Sequence, residues 1–414
     1  MTAIASAIAR AGPWTSPSST SRSSSPRASR IARGVVAAGH PETARAGADA
    51  LRAGGNAVDA AVAAVLASLA AEPLLTGLGA GGYMLVSLPD EEPRVLDFFV
   101  EAPGRGADPH TREELVPISV SFGDAVQVFN VGPASVGTYG VPAGLADAAQ
   151  RFGSLPLSDL AAPAVALARD GVEVSAVQAY VIEILQEIAM STPECAALFA
   201  PGGRLLREGD TFRNPDLASA LELLGREGAA PFYTGEVAAA VIDWLEGSGA
   251  MLTAADLAAY RVVDREPVRV AYRGRDVVTN PPPSAGGILI AYALALLERS
   301  TEPLTPARLV EVMAAAQAER TPEFLEGLHD PGFLDRFFAS RLGSTTHVSV
   351  LDAGGGACAV TCSNGEGSGI VVPGTGLHLN NMLGEQDLNP LGFHRHAPGR
   401  RLPSMMSPTM VLGE

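Results

Sequence analysis

Apolar and polar positions first fall into a regular pattern near Gly34. "GVVAAGH" reads as a strand, and "PETARAGADALRAG" reads as a helix with Pro41 in its first turn and a Gly-Gly stop. "NAVDAAVAAVLASLAA" is apolar almost all round, which predicts a buried helix with Asn56 as its N-cap. A glycine-rich turn, "TGLGAGG", then opens the strand "YMLVSL", and "RVLDFFVEAPG" predicts another strand. From Leu145 to about Glu246 the spacing is mostly helical. After it come the strands "EPVRVAYRG" and "RDVVTN", then "PPPSAGG" and the helix "ILIAYALALLE". Past Thr345 the pattern turns to strands and turns: "THVSVLDAGG", "GACAVTCSN" and "GSGIVVPGTG". No fixed-period repeat occurs. Helix pairs alternating with two antiparallel strand sets suggest an α+β chain in a four-layer αββα arrangement.

The glycine turn lies between a helix and a strand. A nucleotide-binding turn needs the reverse order, so close backbone packing between helix and sheet is the better reading. Residues 1–33 are rich in serine and arginine and read as a disordered tail. The run "AIASAIA" is too short and too weakly apolar for a signal core, which favours a cytoplasmic protein unless the start lies elsewhere. The most apolar helix stops at a proline after about 15 residues, short of a membrane span.

Composition narrows the chemistry. The 414 residues are 47% apolar, which is enough for a large core, and the formal net charge is −16. Such an acidic surface repels phosphate backbones and argues against nucleic-acid binding. Every basic residue is arginine, so lysine Schiff-base and P-loop chemistry are excluded. Three cysteines make no disulfide framework and fit a reducing compartment. Cys358 and Cys362, four apart on a strand, stand roughly 13 Å apart and read as buried hydrophobes. "HRH", His394 to His396, has no further ligand at metal spacing and reads as a solvated loop; no metal or cofactor is expected.

The junction "GSTTHVSV" carries the chemistry. A threonine hydroxyl needs a base, and its own α-amino group can serve if the preceding peptide bond is cut. Ser344 and Thr345 supply a small residue before such a cut and a strand after it. Ser363 and Asn364 stand where a hairpin would bring them opposite. Taken alone, the stretch reads better as an ordinary edge strand.

Other stretches shift that balance. "HPETARAGADALRAGGNAVDAAVAA", "YGVPAGLADAAQRFG", "AAPAVALARDG", "YTGEVAAAV", "MLTAADLAAYRVVDREPVRVAYRG", "PPPSAGG", "TTHVSVLD" and "PGTGLHLNNMLGEQD" follow one another in order. Together they resemble the γ-glutamyltranspeptidase family of N-terminal-nucleophile hydrolases, from about Gly34 to Pro408. The resemblance implies a self-cleaving precursor with a large-subunit region, 34–344, and a small-subunit region, 345–414. Thr345 would be the nucleophile and Ser363 the second hydroxyl beside it. Asn364, Asn380 and the adjoining Asn381 would bind substrate, with Glu385 on its α-amino group and Ser404 on its carboxylate. His347 would pack. The implied partners are a small γ-glutamyl or related amide substrate, glutathione-like, and the two fragments of the chain itself.

Three departures from the family pattern carry consequences. Phe99 stands where the family has an arginine that grips the γ-glutamyl carboxylate, and Met405 replaces the second of a serine pair. A bidentate charge contact is worth about 1.5–3 kcal/mol, enough to change the substrate class. The family pattern also runs on past Glu414 with a Gly-Ser-X-Gly-Gly oxyanion loop, which predicts a truncated small-subunit region. These departures leave open a cephalosporin-acylase-like amidase, with Phe99 as an apolar contact, and a degenerate, non-catalytic relative.

Overall fold

The computed structural model describes residues 34–121, 126–300, 303–330 and 347–413. Ser344 and Thr345 lie outside the described residues, as does the Ser/Arg-rich segment 1–33.

Strand β1 (Gly34–Ala37) leads into the helix Pro41–Ala53, which ends at Gly54 with φ 101°. A left-handed cap of this kind favours glycine. The next helix, Ala57–Ala71, has every residue buried. Its N-terminus carries a reciprocal cap. Asn56 Oδ1 accepts from the amides of Val58 (2.9 Å) and Asp59 (3.0 Å), and Asp59 Oδ2 accepts from the Asn56 amide at 2.8 Å. Asp59 also accepts from Ser154 Oγ at 2.6 Å and from the Leu155 amide at 3.1 Å. Those neutral donors let a carboxylate sit in a fully buried helix.

Strands β2 (Gly81–Ser87) and β3 (Arg94–Phe98) follow, then a hairpin of β4 (Val116–Ser121) and β5 (Val126–Val131) that the apolar pattern had not resolved. The hairpin's inner side chains, Ile118, Val120, Phe129 and Val131, pack into a satellite cluster with Leu74 and Ile182. The helical stretch is interrupted only by the short pair β6 (Val172–Glu173) and β7 (Thr211–Phe212). Next come β8 (Val263–Arg265), β9 (Val268–Tyr272), β10 (Arg275–Thr279) and the helix Ala285–Arg299. The last part holds β11 (His347–Asp352), β12 (Ala357–Ser363), the small pair β13 (Val371–Val372) and β14 (Leu377–His378), and β15 (Thr409–Leu412).

Six strands form one antiparallel sheet in the order β1-β11-β12-β2-β3-β8. Its two faces bury different partners, as strand alternation requires. Met84, Val86, Cys358 and Val360 point toward the helices, among them Ala57–Ala71. Tyr83, Leu85, Ala357 and Ala359 face Val278 and Met410 from a second sheet, ordered β15-β10-β9, and Met406 just ahead of β15. On that sheet's far side Val268, Val270 and Val277 meet Ile288 and Leu289 of the helix Ala285–Arg299. The fold is therefore α+β.

The glycine-rich turn packs closely, though against different partners than expected. A Cβ on Gly79 would stand 2.3 Å from His378 O, and one on Gly82 would stand 2.4 Å from Thr361 O. The contacts are to strands β14 and β12, not to a helix. Cys195, Cys358 and Cys362 are all unpaired and buried. No helix among the described residues is long and apolar enough to cross a membrane.

Candidate active site

The site grows from the end of β12. The β11–β12 hairpin pairs His347 with Thr361 and Val348 with Val360. His347 Nδ1 lies 3.0 Å from Thr361 Oγ1 across the hairpin. Two residues past Thr361, Ser363 ends the strand opposite Gly81 of β2, and its Oγ accepts from the Gly365 amide at 3.0 Å.

The chain then turns through Asn364–Gly367. Gly365 has φ 67° and Gly367 has φ 86°. A Cβ on Gly365 would fall 2.0 Å from Asn381 Oδ1 and 2.1 Å from Glu385 Oε1. Glycine at this position thus leaves room for two polar side chains from a segment more than a dozen residues further on. Asn381 Oδ1 accepts from the Glu366 amide at 3.0 Å, and Asn381 Nδ2 lies 3.4 Å from Glu366 Oε2. The hairpin β4–β5 closes one side: Asn130 Nδ2 donates to Gly384 O at 2.8 Å.

Glu366 and Glu385 form an acidic pair. Burial pushes both carboxyls above the ordinary range, and Glu385 is raised further by the charges of Glu366 and Asp387. Glu385 Oε1 is shut off from solvent and has no hydrogen-bond partner. Glu366 was not singled out by sequence reasoning. Its signal lay in plain view, a carboxylate set between two glycines in "NGEGSG".

The remaining sequence-derived candidates divide. Asn364 is fully buried; its Nδ2 donates to His378 O at 3.2 Å, and its Oδ1 has no partner. Asn380 is fully buried too, but all its capacity goes to backbone. Nδ2 donates to Gly79 O (2.9 Å) and Gly137 O (3.0 Å), while Oδ1 accepts from the amides of Gly137 (3.0 Å) and Met382 (3.2 Å). An amide side chain has no further site to offer a substrate, so its role is to brace the loop. Ser404 is buried, and its Oγ accepts from the Met406 amide at 3.0 Å. It reaches the neighbourhood of Ser363 through a chain of contacts. Gly81 abuts Val100, and Val100 O accepts from the Leu402 amide at 3.0 Å, two residues before Ser404.

Phe99 departs from expectation. Its ring is fully buried and stacks on Tyr83 at 5.4 Å, so it fills core and offers no surface to a ligand. Beside it lies a second buried charge group that sequence reasoning missed. Arg401 donates to Phe99 O at 3.0 Å and Glu101 Oε1 at 3.1 Å, and its Nε stands 3.2 Å from Asp97 Oδ1. Tyr260 covers the guanidinium at 4.6 Å. The carboxylates and Tyr260 hold Arg401 firmly charged against the cost of its burial.

A profile of the gamma-glutamyltranspeptidase family matches residues 43–414. The chain belongs to the gamma-glutamyltranspeptidase family. Among curated relatives, the "Acylase ACY 1 proenzyme" of Pseudomonas sp. (strain SE83) is 33% identical, over 92% of this chain and 75% of its own length. The "Glutathione hydrolase proenzyme" of Bacillus subtilis is 31% identical, over 91% of this chain and 72% of that protein. Among solved structures, the cephalosporin acylase of Bacillus halodurans superposes with a TM-score of 0.76 at 26% identity, covering 96% of this chain and 78% of that one. This family member is accordingly an enzyme of the γ-glutamyltransferase and γ-glutamyl hydrolase type. Among its described residues no group of three or more His, Cys, Asp or Glu stands ready to hold a metal ion.

Proposed function

We propose that this chain is the precursor of a two-fragment acyl-transfer enzyme with Thr345 as its nucleophile. The observation that carries the reading is the β11–β12 hairpin. Its register pairs His347 with Thr361, and the same register carried two residues outward would set position 345 opposite Ser363. The Thr345 hydroxyl attacks the Ser344 carbonyl and the peptide nitrogen leaves, giving an ester. Water then splits the ester into a Ser344 carboxylate and the regenerated Thr345 hydroxyl, beside the α-amine that the shift set free. In the mature enzyme that amine takes the proton from the Thr345 hydroxyl as it attacks the amide carbonyl of a donor. The donor amine departs with the proton, and water or a second amine releases the acyl group.

On this reading residues 34–344 form the large fragment, residues 345–414 belong to the small one, and 1–33 precede the fold. The two sheets with helices outside them correspond to the four-layer αββα sandwich of N-terminal-nucleophile hydrolases. Ser363 orients the nucleophile, and Asn364, Asn381, Glu385 and Ser404 surround the acyl donor. A small γ-glutamyl amide of the glutathione kind is the substrate class that the glutathione hydrolase likeness supports. A cephalosporin-acylase-like amidase is the second reading. It is favoured by the likeness to the two acylases and by the missing arginine at Phe99.

The test is mass spectrometry and N-terminal sequencing of the purified full-length gene product. A small fragment beginning Thr-Thr-His-Val, absent from Thr345→Ala, is expected. A single intact chain, or a cut elsewhere, overturns the assignment and favours a non-catalytic relative.

A further inference from the structure

We propose that Asn130 is a positioning residue for the acyl donor: it clamps the loop that carries Asn381 and Glu385, and so sets donor affinity and not the rate of bond breaking. The inference rests on the acyl-transfer reading and adds a residue to that site.

The clamp has two arms. Asn130 Nδ2 donates to Gly384 O at 2.8 Å, and Asn130 O accepts from Asn381 Nδ2 at 3.4 Å. Between these points the loop makes one short turn, Met382–Gly384, closed by the Gly384 amide on Asn381 O at 2.7 Å. One residue of β5 therefore holds both ends of the turn, and Glu385 leaves directly from the second end. The fit is close: a Cβ on Gly384 would fall 2.0 Å from Asn130 O, so glycine is what lets the strand approach this far. The Asn381 amide also donates to Asn364 O at 3.3 Å, next to Ser363, so a shift of this loop is felt where the donor sits.

Neighbouring contacts extend the same connection. Two residues further along, the Gly132 amide donates to Ser368 O at 2.9 Å, and Ser368 Oγ donates to Leu379 O at 2.9 Å. Gly137 exchanges two hydrogen bonds with Asn380, each of 3.0 Å. The segment 130–137 thus runs as a splint across the turn after β12 and the loop after β14. Its bonds from Asn130, Gly132 and Gly137 all cross from residues before the proposed cut to residues after it. Gly132 and Gly137 act through main chain, whereas Asn130 acts through its side chain and is open to substitution. The hairpin register that points position 345 at Ser363 is a separate matter, since among the described residues no hydrogen bond joins Asn130 to β11 or β12.

Loss of the clamp should therefore raise KM and spare kcat. Asn130→Ala deletes the N–H donor; Asn130→Asp keeps the shape but turns a carboxylate oxygen on the Gly384 carbonyl. The probes are γ-glutamyl and glutaryl 4-nitroanilides, on the purified full-length gene product. For whichever is turned over, Asn130→Ala should raise KM about three- to tenfold, and Asn130→Asp further. In both variants kcat should stay within about twofold of wild type, and the Thr-Thr-His-Val fragment should form as before. Val128→Ala, on the same face of the hairpin but outside the clamp, should leave KM unchanged. A merely structural asparagine would lower the melting temperature and kcat while KM stayed put. That pattern, or a wild-type KM in Asn130→Ala, overturns the proposal, and Asn130→Ala carries the test alone if the aspartate variant does not fold. If the wild type turns over neither anilide, the nucleophile assignment fails separately, and calorimetry with L-glutamate and glutarate reads the clamp directly. Weaker binding by Asn130→Ala supports it; equal affinity, or no binding to the wild type, sinks it.

Discussion

Two acidic clusters in this molecule are built in opposite ways. Asp97 and Glu101 lie against Arg401, and Arg265 adds a second guanidinium 2.7 Å from Asp97 Oδ2. Among the described residues Glu366 and Glu385, both half-buried, have no cation beside them, only the Asn381 amide and an unused carboxylate oxygen. The first cluster closes its own charge balance, so it braces β3 against the segment leading to Ser404 and asks nothing of a ligand. The second leaves its balance open. What separates a brace from a binding site is whether the protein itself supplies the counter-charge.

The contrast is sharpest under substitution, and the largest effect should fall on the closed cluster. Arg401→Met removes the buried guanidinium that Asp97 and Glu101 share and leaves them only the outer Arg265 and Arg105, and losing one partner of a buried ion network costs about 3–5 kcal/mol. Chemical denaturation at neutral pH measures it; a midpoint unchanged from wild type would mean that the guanidinium contributes nothing net.

Asp59 tests an intermediate design, a buried carboxylate balanced by neutral donors alone. Asp59→Asn replaces an acceptor oxygen with an NH₂ facing N–H groups. It should lose about 1–3 kcal/mol, less than Arg401→Met because no charge is stranded. The same denaturation series ranks the two.

The smallest change, and one of opposite sign, belongs to Glu366→Gln. The folded carboxyl is raised to about 7, chiefly by burial, while the unfolded one titrates in the ordinary carboxylate range. The folded state therefore binds more protons between those two values. Wild-type stability is fully present below the unfolded pKa and declines as pH rises through about 7. Glu366→Gln removes much of that slope, so at pH 8 the variant should melt no lower than wild type. Melting curves from pH 4 to 8 decide it. A variant that is less stable throughout would place Glu366 with the braces and erase the distinction between the two clusters.

Much of the scaffold was legible because its causes are local. The Asn56 cap, the Gly54 stop and the alternation of Tyr83, Met84, Leu85 and Val86 between two faces follow from neighbours a few residues apart. The hairpin β4–β5 was not legible. Its outer side chains include exposed Val116, Val126 and Val128, so the apolar–polar alternation that marks a half-buried strand is blurred. Phe99 was read as a ligand contact because position alone cannot tell a side chain that faces a pocket from one that stacks into the core.

By itself the sequence determined the family, the ends of the first two helices and the candidate nucleophile segment, since these depend on spacing and on ordered motifs. Only the tertiary structure decided which polar residues are spent and which are free. Asn380 and Asn381 are adjacent in the chain. Yet one has every hydrogen-bonding position filled by Gly79, Gly137 and Met382, while the other turns toward Glu366. Arg401 finds Asp97 some 300 residues away, and Glu385 meets Glu366 across a glycine. Charge balance and hydrogen-bond capacity are sums over neighbours in space, and a linear pattern holds no record of those neighbours until the chain has folded.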